Sequence, residues 1–360
     1  MGLLVEGQWR DQWYDTASSA GRFVRKESAF RHWVIAEEDL EGRGGSSFIA
    51  EAGRYHLYVS LACPWAHRTL IMRNLKALQS AISVSVVHWR MLENGWTFEQ
   101  APGVVPDPQF GARYLREIYT AADPRYTGRV TVPVLWDKLR GTIVNNESSE
   151  IIRMLNSEFD RVGAAPGDYY PSAYRVEIDA LNTRINDTLN NGVYKAGFAT
   201  MQAAYEEAIG PMFETLDWLE RRLSGQRYLI GHRLTEADIR LFTTLVRFDL
   251  VYFGHFKCNL RRIVDYPNLW AYTRDLYQTP GFTETVNRQH IQGHYYESHR
   301  GINPTGIVPA GPAMDFTTAH GREALAGSAA QTGGEYPSID SAAKSPFQRT
   351  ATVRGSNDSG

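Results

Sequence analysis

The clearest structural pattern lies in the segment RYHLYVSLACPWAHRTLIMRNLKALQSAISVSVVHW, residues 54–89. Its first part, residues 54–61, is rich in β-branched and aromatic residues and predicts a strand. Apolar residues then recur at helical spacing through residues 65–79, directly after Pro64, a residue suited to the first turn of a helix. Residues 82–89 predict a second strand. A strand, a helix and a strand with short joins predict a βαβ unit with a right-handed crossover.

Two more strands and a helix come after an interruption. Residues 90–130 are rich in Pro, Gly and aromatic residues and are too long for an ordinary connection, so they predict a structured insertion. Residues 131–137 and 142–146 predict a β-hairpin, and residues 148–159 predict a helix. The order β-α-β-insertion-β-β-α is that of the thioredoxin fold. The sequence therefore predicts an α/β thioredoxin-like domain over residues 53–162.

The rest of the chain divides into three parts. Residues 1–52 hold many aromatic residues among charges and predict an extension packed on the core. Beyond a break near residue 163, helical spacing prevails, and residues 170–312 predict an all-α helical domain. Residues 313–360 turn to Gly, Ala, Ser and Thr with few large apolar residues. They predict a disordered tail, anchored at most in its first part.

Charge and cysteine content exclude several classes of protein. Lys and Arg number 38 and Asp and Glu 40, a net charge of −2, which argues against a protein that binds nucleic acid by neutralising phosphates. No apolar run reaches the length that spans a bilayer, and no secretory signal opens the chain. The only cysteines are Cys63 and Cys258, which fits a reducing compartment. We expect a soluble, cytoplasmic protein.

Cys63 is the strongest candidate for chemistry. It lies where a strand ends and a helix begins, and there the unpaired N–H groups and the helix dipole favour a thiolate of lowered pKa. The alternative is a buried structural cysteine. The motif is CPWA and has no second cysteine three residues on, so a mixed disulfide at Cys63 needs an external thiol to resolve it. Glutathione is the abundant thiol of the cytosol.

Two further positions gain meaning from the thioredoxin-like setting. A proline placed as Pro133 is cis in such folds and faces the active cysteine, and the backbone of Val132 would then contact glutathione. The alternative is an ordinary proline in an edge strand. Glu147 and Ser148 open a helix, whose N-terminus readily binds a carboxylate such as that of the γ-glutamyl group. A helix cap without further function is the alternative.

Histidines and tyrosines gather near the end of the helical region. His290, His294 and His299 lack an acidic or cysteine partner at a recognisable spacing, so we expect no metal site. Tyr295 and Tyr296 lie in the same stretch. Together with Tyr194 they are phenols that could hydrogen-bond a phenolic substrate, and the alternative is interior packing.

Several segments together resemble the glutathionyl-hydroquinone reductases, the Xi class of glutathione transferases. The resemblance runs from about residue 30 to residue 312. CPWAHR alone is moderately specific, because omega-class transferases carry related motifs, whereas NNGVYKAGFA and INPTGIVPAGP are highly specific in combination. The segments are RYHLYVSLACPWAHRTLI, TVPVLWDK, NNESSEIIRMLN, NNGVYKAGFA and HYYESHRGINPTGIVPAGP.

The resemblance implies a glutathione transferase fold and the reduction of S-glutathionyl-hydroquinones to hydroquinones. Glutathione would be the co-substrate, and glutathione disulfide would be released. Cys63 would be the nucleophile, with Tyr194 and Tyr295 gripping the hydroquinone and assisting proton movement, and Tyr296 as a neighbour. The resemblance assigns the glutathione site to Trp96, Arg129, Val132, Glu147 and Ser148. It also implies a homodimer.

Two other functions stay open at this point. An omega-like thioltransferase or dehydroascorbate reductase would use the same cysteine and glutathione. A non-catalytic, transferase-like scaffold would leave Cys63 unreactive.

Overall fold

The computed structural model describes residues 2–37 and 48–327. The strands, in chain order, are β1 (Leu3–Val5), β2 (Gln8–Arg10), β3 (Tyr55–Val59), β4 (Ile82–Val86), β5 (Gly128–Arg129), β6 (Val134–Asp137) and β7 (Thr142–Asn145). The α-helices are α1 (Pro64–Leu75), α2 (Leu115–Ala122), α3 (Ser148–Ser157), α4 (Arg175–Ile185), α5 (Gly192–Gly197), α6 (Gln202–Arg222), α7 (Glu236–Arg247), α8 (Phe253–His255), α9 (Pro267–Gln278) and α10 (Arg288–Ser298).

The predicted βαβ unit forms half of a four-stranded sheet with the order β4-β3-β6-β7. β3 and β4 are parallel, with Leu57 opposite Val84, while β6 and β7 pair as an antiparallel hairpin. All five residues of β3 are buried, because a central strand covered on both faces takes apolar residues without alternation. α1 contacts both α3 and α7, so the helix that begins after Cys63 is held between the sheet domain and the helical region.

The insertion and the N-terminal extension form a second, smaller sheet. Its order is β2-β1-β5, and both pairings are antiparallel, with Leu4 opposite Gly128. The insertion also contains α2, which buries Leu115, Ile118 and Tyr119. Neither this sheet nor α2 was expected from the sequence patterns. Residues 38–47 of the extension lie outside the described residues.

The helical region begins at α4, and two π-helical segments interrupt it. They span Asn186–Asn190 and Phe248–Tyr252, each inside a stretch whose spacing predicts one continuous helix. The extra residue in such a segment rotates the subsequent residues around the helix axis, and π-segments occur frequently at functional sites. The second segment ends at Tyr252, whose hydroxyl lies 2.9 Å from that of Tyr295.

The chain does not leave the fold at residue 313. Phe316 stacks on Tyr277 with ring centroids 5.1 Å apart, and the buried Arg322 donates to the carbonyls of Leu223 and Arg227 at 3.0 and 2.9 Å. Aromatic stacking and backbone hydrogen bonds thus anchor the first part of this segment, up to residue 327. The rest of the predicted tail lies outside the described residues. Across the described parts of the chain, no helix has the length and apolarity to cross a membrane.

Candidate active site

Cys63 is the N-cap residue of α1, at the point where the sequence places it. Its N–H donates to the carbonyl of Ser60 at 3.2 Å, and its own carbonyl accepts the first helical hydrogen bond, from the N–H of His67 at 3.0 Å. Pro64 occupies the first helical position, where a missing N–H costs nothing. Cys63 is half-buried and lines a pocket, in contrast to Cys258, which is fully buried. Its position in the pocket favours a reactive over a structural cysteine.

The pKa of the Cys63 thiol is shifted in the direction opposite to the expected one. Burial raises the pKa of the thiol, and this outweighs the amides of Ala66 and Trp65 and the charges of Arg247 and Arg25, which all lower it. The prediction of a lowered pKa is therefore wrong for this pocket, because desolvation exceeds the contribution of the helix terminus. The groups that stabilise a thiolate are nevertheless present.

Val132 lies directly opposite the Cys63 thiol. The Cys63 thiol donates to the Val132 carbonyl at a sulfur–oxygen distance of 3.6 Å, and the peptide bond from Val132 to Pro133 is cis. Arg129 lines the same pocket and donates to the backbone carbonyls of Gln12 and Trp13, the latter at 2.9 Å. It thereby fastens the N-terminal extension to the rim of the pocket.

Trp96 brings the insertion into the pocket. Its ring is buried and stacks on the imidazole of His294, with centroids 4.9 Å apart and planes 21° apart. The Nδ1–H of His294 donates to the carbonyl of Trp89 at 2.7 Å, and burial lowers the pKa of His294 to about 4, so this imidazole is neutral at physiological pH. A neutral, hydrogen-bonded ring supports the indole from behind.

Three tyrosine hydroxyls meet in a triangle on the helical side. The oxygens of Tyr194 and Tyr295 are 2.5 Å apart, those of Tyr252 and Tyr295 are 2.9 Å apart, and those of Tyr194 and Tyr252 are 3.4 Å apart. We call these residues the tyrosine triangle. Tyr194 and Tyr295 line the pocket together with Cys63. Burial raises the pKa of all three phenols, so each keeps its proton.

The structure does not bring Tyr296 to this site. Its ring packs on His255 at 4.8 Å, away from the pocket walls, because successive residues of α10 point in different directions. Tyr252, which does not itself line the pocket, is instead the third hydroxyl bonded to Tyr194 and Tyr295. Only its position in an apolar helical stretch marked Tyr252, and the π-helical segment that turns it inward had no recognisable signal.

Glu147 and Ser148 are not among the residues that line the pocket. Glu147 is the N-cap of α3 and accepts from the N–H of Ser149 at 3.1 Å, and the Ser148 hydroxyl accepts from Arg68 at 3.4 Å. The Arg68 guanidinium lies over the ring of Trp65, which lines the pocket, at 4.4 Å. The two predicted residues are thus linked to the pocket through a buried arginine and an indole.

The extension contributes pocket residues that sequence reasoning missed. Tyr14, Phe23 and Arg25 line the pocket, and the Arg25 guanidinium lies 5.0 Å from the ring of Trp65 and 5.4 Å from that of Tyr194. The high aromatic content of the extension indicated packing on the core. It carried no signal for a role in the pocket.

The three histidines hydrogen-bond different partners, although the rings of His294 and His299 lie 5.4 Å apart and both line the pocket. His290 hydrogen-bonds the carbonyl of Pro102 at 2.7 Å, His294 bonds Trp89, and His299 bonds His255 at 3.1 Å. Over the described ranges, no group of three or more potential metal ligands is present.

Known families match both halves of the chain. The family model described as "Glutathione S-transferase, N-terminal domain" matches residues 62–158, and "Glutathione S-transferase, C-terminal domain" matches residues 202–275. The glutathionyl-hydroquinone reductase of Sphingobium chlorophenolicum is 62% identical over 87% of this chain and 97% of its own length. That of Escherichia coli K12 is 59% identical over 90% of this chain and 99% of its own.

Solved structures agree with these matches. A glutathione-bound glutathione transferase homologue from Escherichia coli K-12 has a TM-score of 0.82 and 56% identity, covering 89% of this chain and 99% of that one. A Xi-class glutathione transferase from Natrialba magadii has a TM-score of 0.84 and 50% identity, covering 90% and 98%. The predicted fold class, a thioredoxin-like domain followed by a helical one, is confirmed. The chain belongs to the glutathione transferase family, in the Xi class with the glutathionyl-hydroquinone reductases.

Proposed function

We propose that the protein reduces S-glutathionyl-hydroquinones to hydroquinones with glutathione as co-substrate. The observation that carries this proposal is a lone thiol, Cys63, in one pocket with the hydroxyls of Tyr194 and Tyr295. A thiol without a nearby partner suits chemistry through a mixed disulfide with glutathione. Protonated phenols suit a substrate whose ring bears oxygens. The names of the relatives at 62% and 59% identity support the same activity.

In the first half-reaction Cys63 attacks the glutathione sulfur of the conjugate. The bond between that sulfur and the ring carbon breaks, and a new sulfur–sulfur bond forms. Departure of the ring carbon is favourable only from the keto tautomer, in which the electron pair of the broken bond moves through the ring to an oxygen. Tyr194 and Tyr295 donate hydrogen bonds to that oxygen as its charge develops. Protonation of the oxygen then completes the hydroquinone.

In the second half-reaction a free glutathione thiolate attacks the glutathione sulfur of the mixed disulfide. Glutathione disulfide leaves and the Cys63 thiolate is regenerated. The two electrons that reduce the ring therefore come from two sulfurs, the glutathione sulfur of the conjugate and the thiol of one free glutathione, which end as the disulfide. This is nucleophilic covalent catalysis in two steps, and it predicts ping-pong kinetics.

The other predicted residues fall into two groups. We assign the glutathione of the conjugate to a subsite formed by Trp96, Arg129, the backbone of Val132, and the N-terminus of α3 at Glu147 and Ser148. We assign the hydroquinone ring to Tyr194 and Tyr295 of the tyrosine triangle, and not to Tyr296. Support for the first assignment is the Val132 carbonyl, which already faces the nucleophile at 3.6 Å.

Mass spectrometry of the protein during turnover tests the proposal. We expect an adduct of about 305 Da on Cys63, the mass that one glutathione adds as a mixed disulfide. Cys63→Ala should abolish turnover without unfolding the protein. Cys258→Ala is the matched control, since that thiol is buried away from the pocket, and it should retain activity. Full activity of the Cys63→Ala variant would refute the proposal.

Substrate preference separates the proposal from its main alternative. A relative at 49% identity bears the name omega-like, so a glutathione-dependent thioltransferase is the second candidate. Glutathionyl-hydroquinone and hydroxyethyl disulfide are assayed side by side. A preference of 100-fold or more for the disulfide, about 2.7 kcal/mol of transition-state discrimination, would favour the thioltransferase. Absence of turnover with both would favour a scaffold.

We also propose that the protein works in the cytoplasm as a homodimer. Both cysteines are free thiols, which suits a reducing compartment. Sedimentation equilibrium of the full chain tests the dimer, and a mass of one chain at micromolar concentration would contradict it.

A further inference from the structure

Arg247 is a fully buried arginine at the joint between the two domains. It is the last residue of α7, and its side chain reaches the loop that leads into Cys63. Its Nε donates to the carbonyl of Ala62 at 2.9 Å and its Nη2 to the carbonyl of Leu61 at 3.1 Å. The guanidinium therefore holds the two peptide groups that precede the nucleophile.

The remaining donors of Arg247 hold the far side of the joint. Nη1 donates to the carbonyl of Thr243 at 2.7 Å and to Nδ1 of His67 at 2.9 Å. Since arginine can only donate, His67 accepts at Nδ1 and carries its hydrogen on Nε2, which donates to Thr285 at 2.7 Å. Burial lowers the pKa of His67, so this imidazole adds no charge.

Among the described residues, the charge of Arg247 has no ion-pair partner. Throughout residues 2–37 and 48–327, no carboxylate oxygen lies within 4.0 Å of its guanidinium, whereas Arg240, two turns earlier on the same helix, pairs with Glu236 at 3.7 Å. A buried cation without a counter-ion is costly to the fold. Its field also stays strong in the low dielectric of the interior, so it stabilises any anion that forms nearby.

The reacting groups feel this field. The positive charge of Arg247 lowers the pKa of Cys63, Tyr252 and Tyr295, against the effect of burial on each. Other groups also face the Cys63 sulfur, namely Arg25 from the extension, Arg68 from α1 and Tyr194 from α5. Arg25 is exposed to solvent and Arg68 points toward Ser148, so Arg247 alone both fastens the nucleophile's loop and acts on the tyrosine triangle.

We propose that Arg247 is a positioning residue for the reaction: it fixes the Leu61–Ala62 backbone in front of Cys63 and supplies the uncompensated positive charge that stabilises the thiolate and the anionic ring oxygen. The part that concerns the ring oxygen rests on the proposed function, and the part that concerns the thiolate does not.

The pH dependence of Cys63 alkylation tests the thiolate part without any substrate. The full-length protein is labelled with iodoacetamide from pH 6 to 10, and Cys63 is followed by mass spectrometry. Arg247→Met should move the labelling midpoint upward by about one pH unit, because a nearby cation is lost. Arg247→Lys keeps the charge and should move it by less than half as much. Arg240→Met, a buried arginine of the same helix, is the matched control and should leave the midpoint unchanged.

Kinetics complete the test. With glutathionyl-hydroquinone, Arg247→Met should lower kcat by about 100-fold with a smaller change in the KM for glutathione, and Arg247→Lys should recover part of the loss. If Arg247→Met does not fold, Arg247→Gln takes its place with the same expected shift. A wild-type labelling midpoint in both the Met or Gln and the Lys variants would overturn the role of Arg247. If Arg247→Met shifts the labelling midpoint but the wild-type protein does not reduce glutathionyl-hydroquinone, the role of Arg247 is supported and the proposed function is refuted.

Discussion

The tyrosine triangle brings hydroxyl groups to a largely aromatic pocket. Tyr194, Tyr252 and Tyr295 are buried, and their hydroxyls are each other's nearest partners. Three hydroxyls in a ring have three protons to share, so one oxygen can direct its proton into the pocket only when its neighbours rearrange. Tyr252 thereby influences the direction in which the two pocket tyrosines donate.

Removing the Tyr252 hydroxyl, which does not line the pocket, tests this arrangement. Tyr252→Phe removes the partner of both pocket tyrosines, and kcat for glutathionyl-hydroquinone should fall by roughly 10- to 100-fold because the ring oxygen loses an organised donor. The KM for glutathione should change little. Tyr296→Phe is the control, since that side chain lies outside the pocket, and its kcat should stay within about twofold of wild type. Equal losses in the two variants would contradict the assignment of Tyr252.

The residues that could be predicted are those with a local signal. Cys63 stands at a strand-to-helix junction, and Pro133 opens a strand opposite it, so both could be placed from the sequence. Tyr252 could not, because its direction depends on the π-helical segment that it ends. Tyr296 was misplaced because helical neighbours share a sequence segment but face different ways. Arg247 has no local signal, because its partners Leu61 and Ala62 are far away in the sequence.

Asp107 connects the insertion to the central sheet. Its carboxylate is buried and accepts four hydrogen bonds, from the Tyr58 hydroxyl at 2.8 Å and from the amides of Gln109, Phe110 and Ala112 at 3.0, 2.9 and 3.1 Å. These bonds tie the insertion to β3. The turn they form precedes residue 113, whose carbonyl accepts from Phe98 at 2.9 Å. The Asp107 carboxylate therefore stabilises the turn that supports the loop around Trp96.

Replacing this carboxylate should loosen the insertion. Asp107→Asn puts an NH₂ group against backbone amides, and we expect the free energy of unfolding to fall by about 2 kcal/mol, with a higher KM for glutathione as Trp96 shifts. Urea unfolding at pH 7 measures the first effect and steady-state kinetics the second. Asp123→Asn, at an exposed turn of the same insertion, should change neither.

Asp107 also makes the stability of the protein depend on pH in a direction that follows from its pKa shift. Burial alone would raise the pKa of Asp107, but its four hydrogen bonds outweigh burial and lower it. A carboxylate with a lowered pKa in the folded state contributes stability above the unfolded value, about 3.9, and this contribution is lost as the pH falls through the folded value. Wild type should therefore lose stability below pH 4 more steeply than Asp107→Asn. Parallel curves in acid would show that Asp107 does not contribute in this way.

α5 shows how closely one short helix approaches the tyrosine triangle. A Cβ on Gly197 would overlap the ring of Phe256, which stacks on Tyr252 with centroids 5.6 Å apart. Gly197→Ala should cost about 1–3 kcal/mol of stability and lower kcat, because the displaced ring presses on the triangle. Gly192→Ala, in the same helix, meets only an ordinary contact of 3.7 Å with Met212 and should be close to neutral. Thermal unfolding and kcat of both variants provide the check.

Elements were predictable to the extent that periodicity or turn chemistry marked them. The four strands of the central sheet and most long helices carry clear patterns, and the structure has them within a few residues. β1, β2 and β5 are two or three residues long, too short for a pattern, and they exist because they pair with one another. α2 has buried residues at helical spacing, but Pro and Gly around it hid that signal.

The pocket is a property of the whole molecule, because four parts of the chain line it. The extension contributes Phe23, the thioredoxin-like core Cys63, the insertion Trp96, and the helical domain Tyr194. Such a site requires both domains to hold a fixed relation. α1 meets α7 at that joint, and Arg247 bridges it. Substitutions in the helical domain that lie away from the pocket should therefore lower the stability of the protein without lowering kcat.

Residues 313–327 contact α9 and the residues after α6, and they test this separation of stability from kcat. Arg322 is 3% exposed and donates to carbonyls just beyond the end of α6, at Leu223, Gln226 and Arg227, so it caps that helix from a distant part of the chain. Arg322→Met leaves these carbonyls without donors, which should cost about 1–3 kcal/mol and lower Tm by several degrees. Because Arg322 touches no pocket residue, kcat and KM at 25 °C should equal those of wild type. Arg300→Met removes an exposed, local contact with Pro304 and should leave Tm unchanged. A lower kcat in fully folded Arg322→Met would mean that this end of the helical domain affects the tyrosine triangle. An unchanged Tm would mean that other contacts attach residues 313–327, chiefly the stacking of Phe316 on Tyr277.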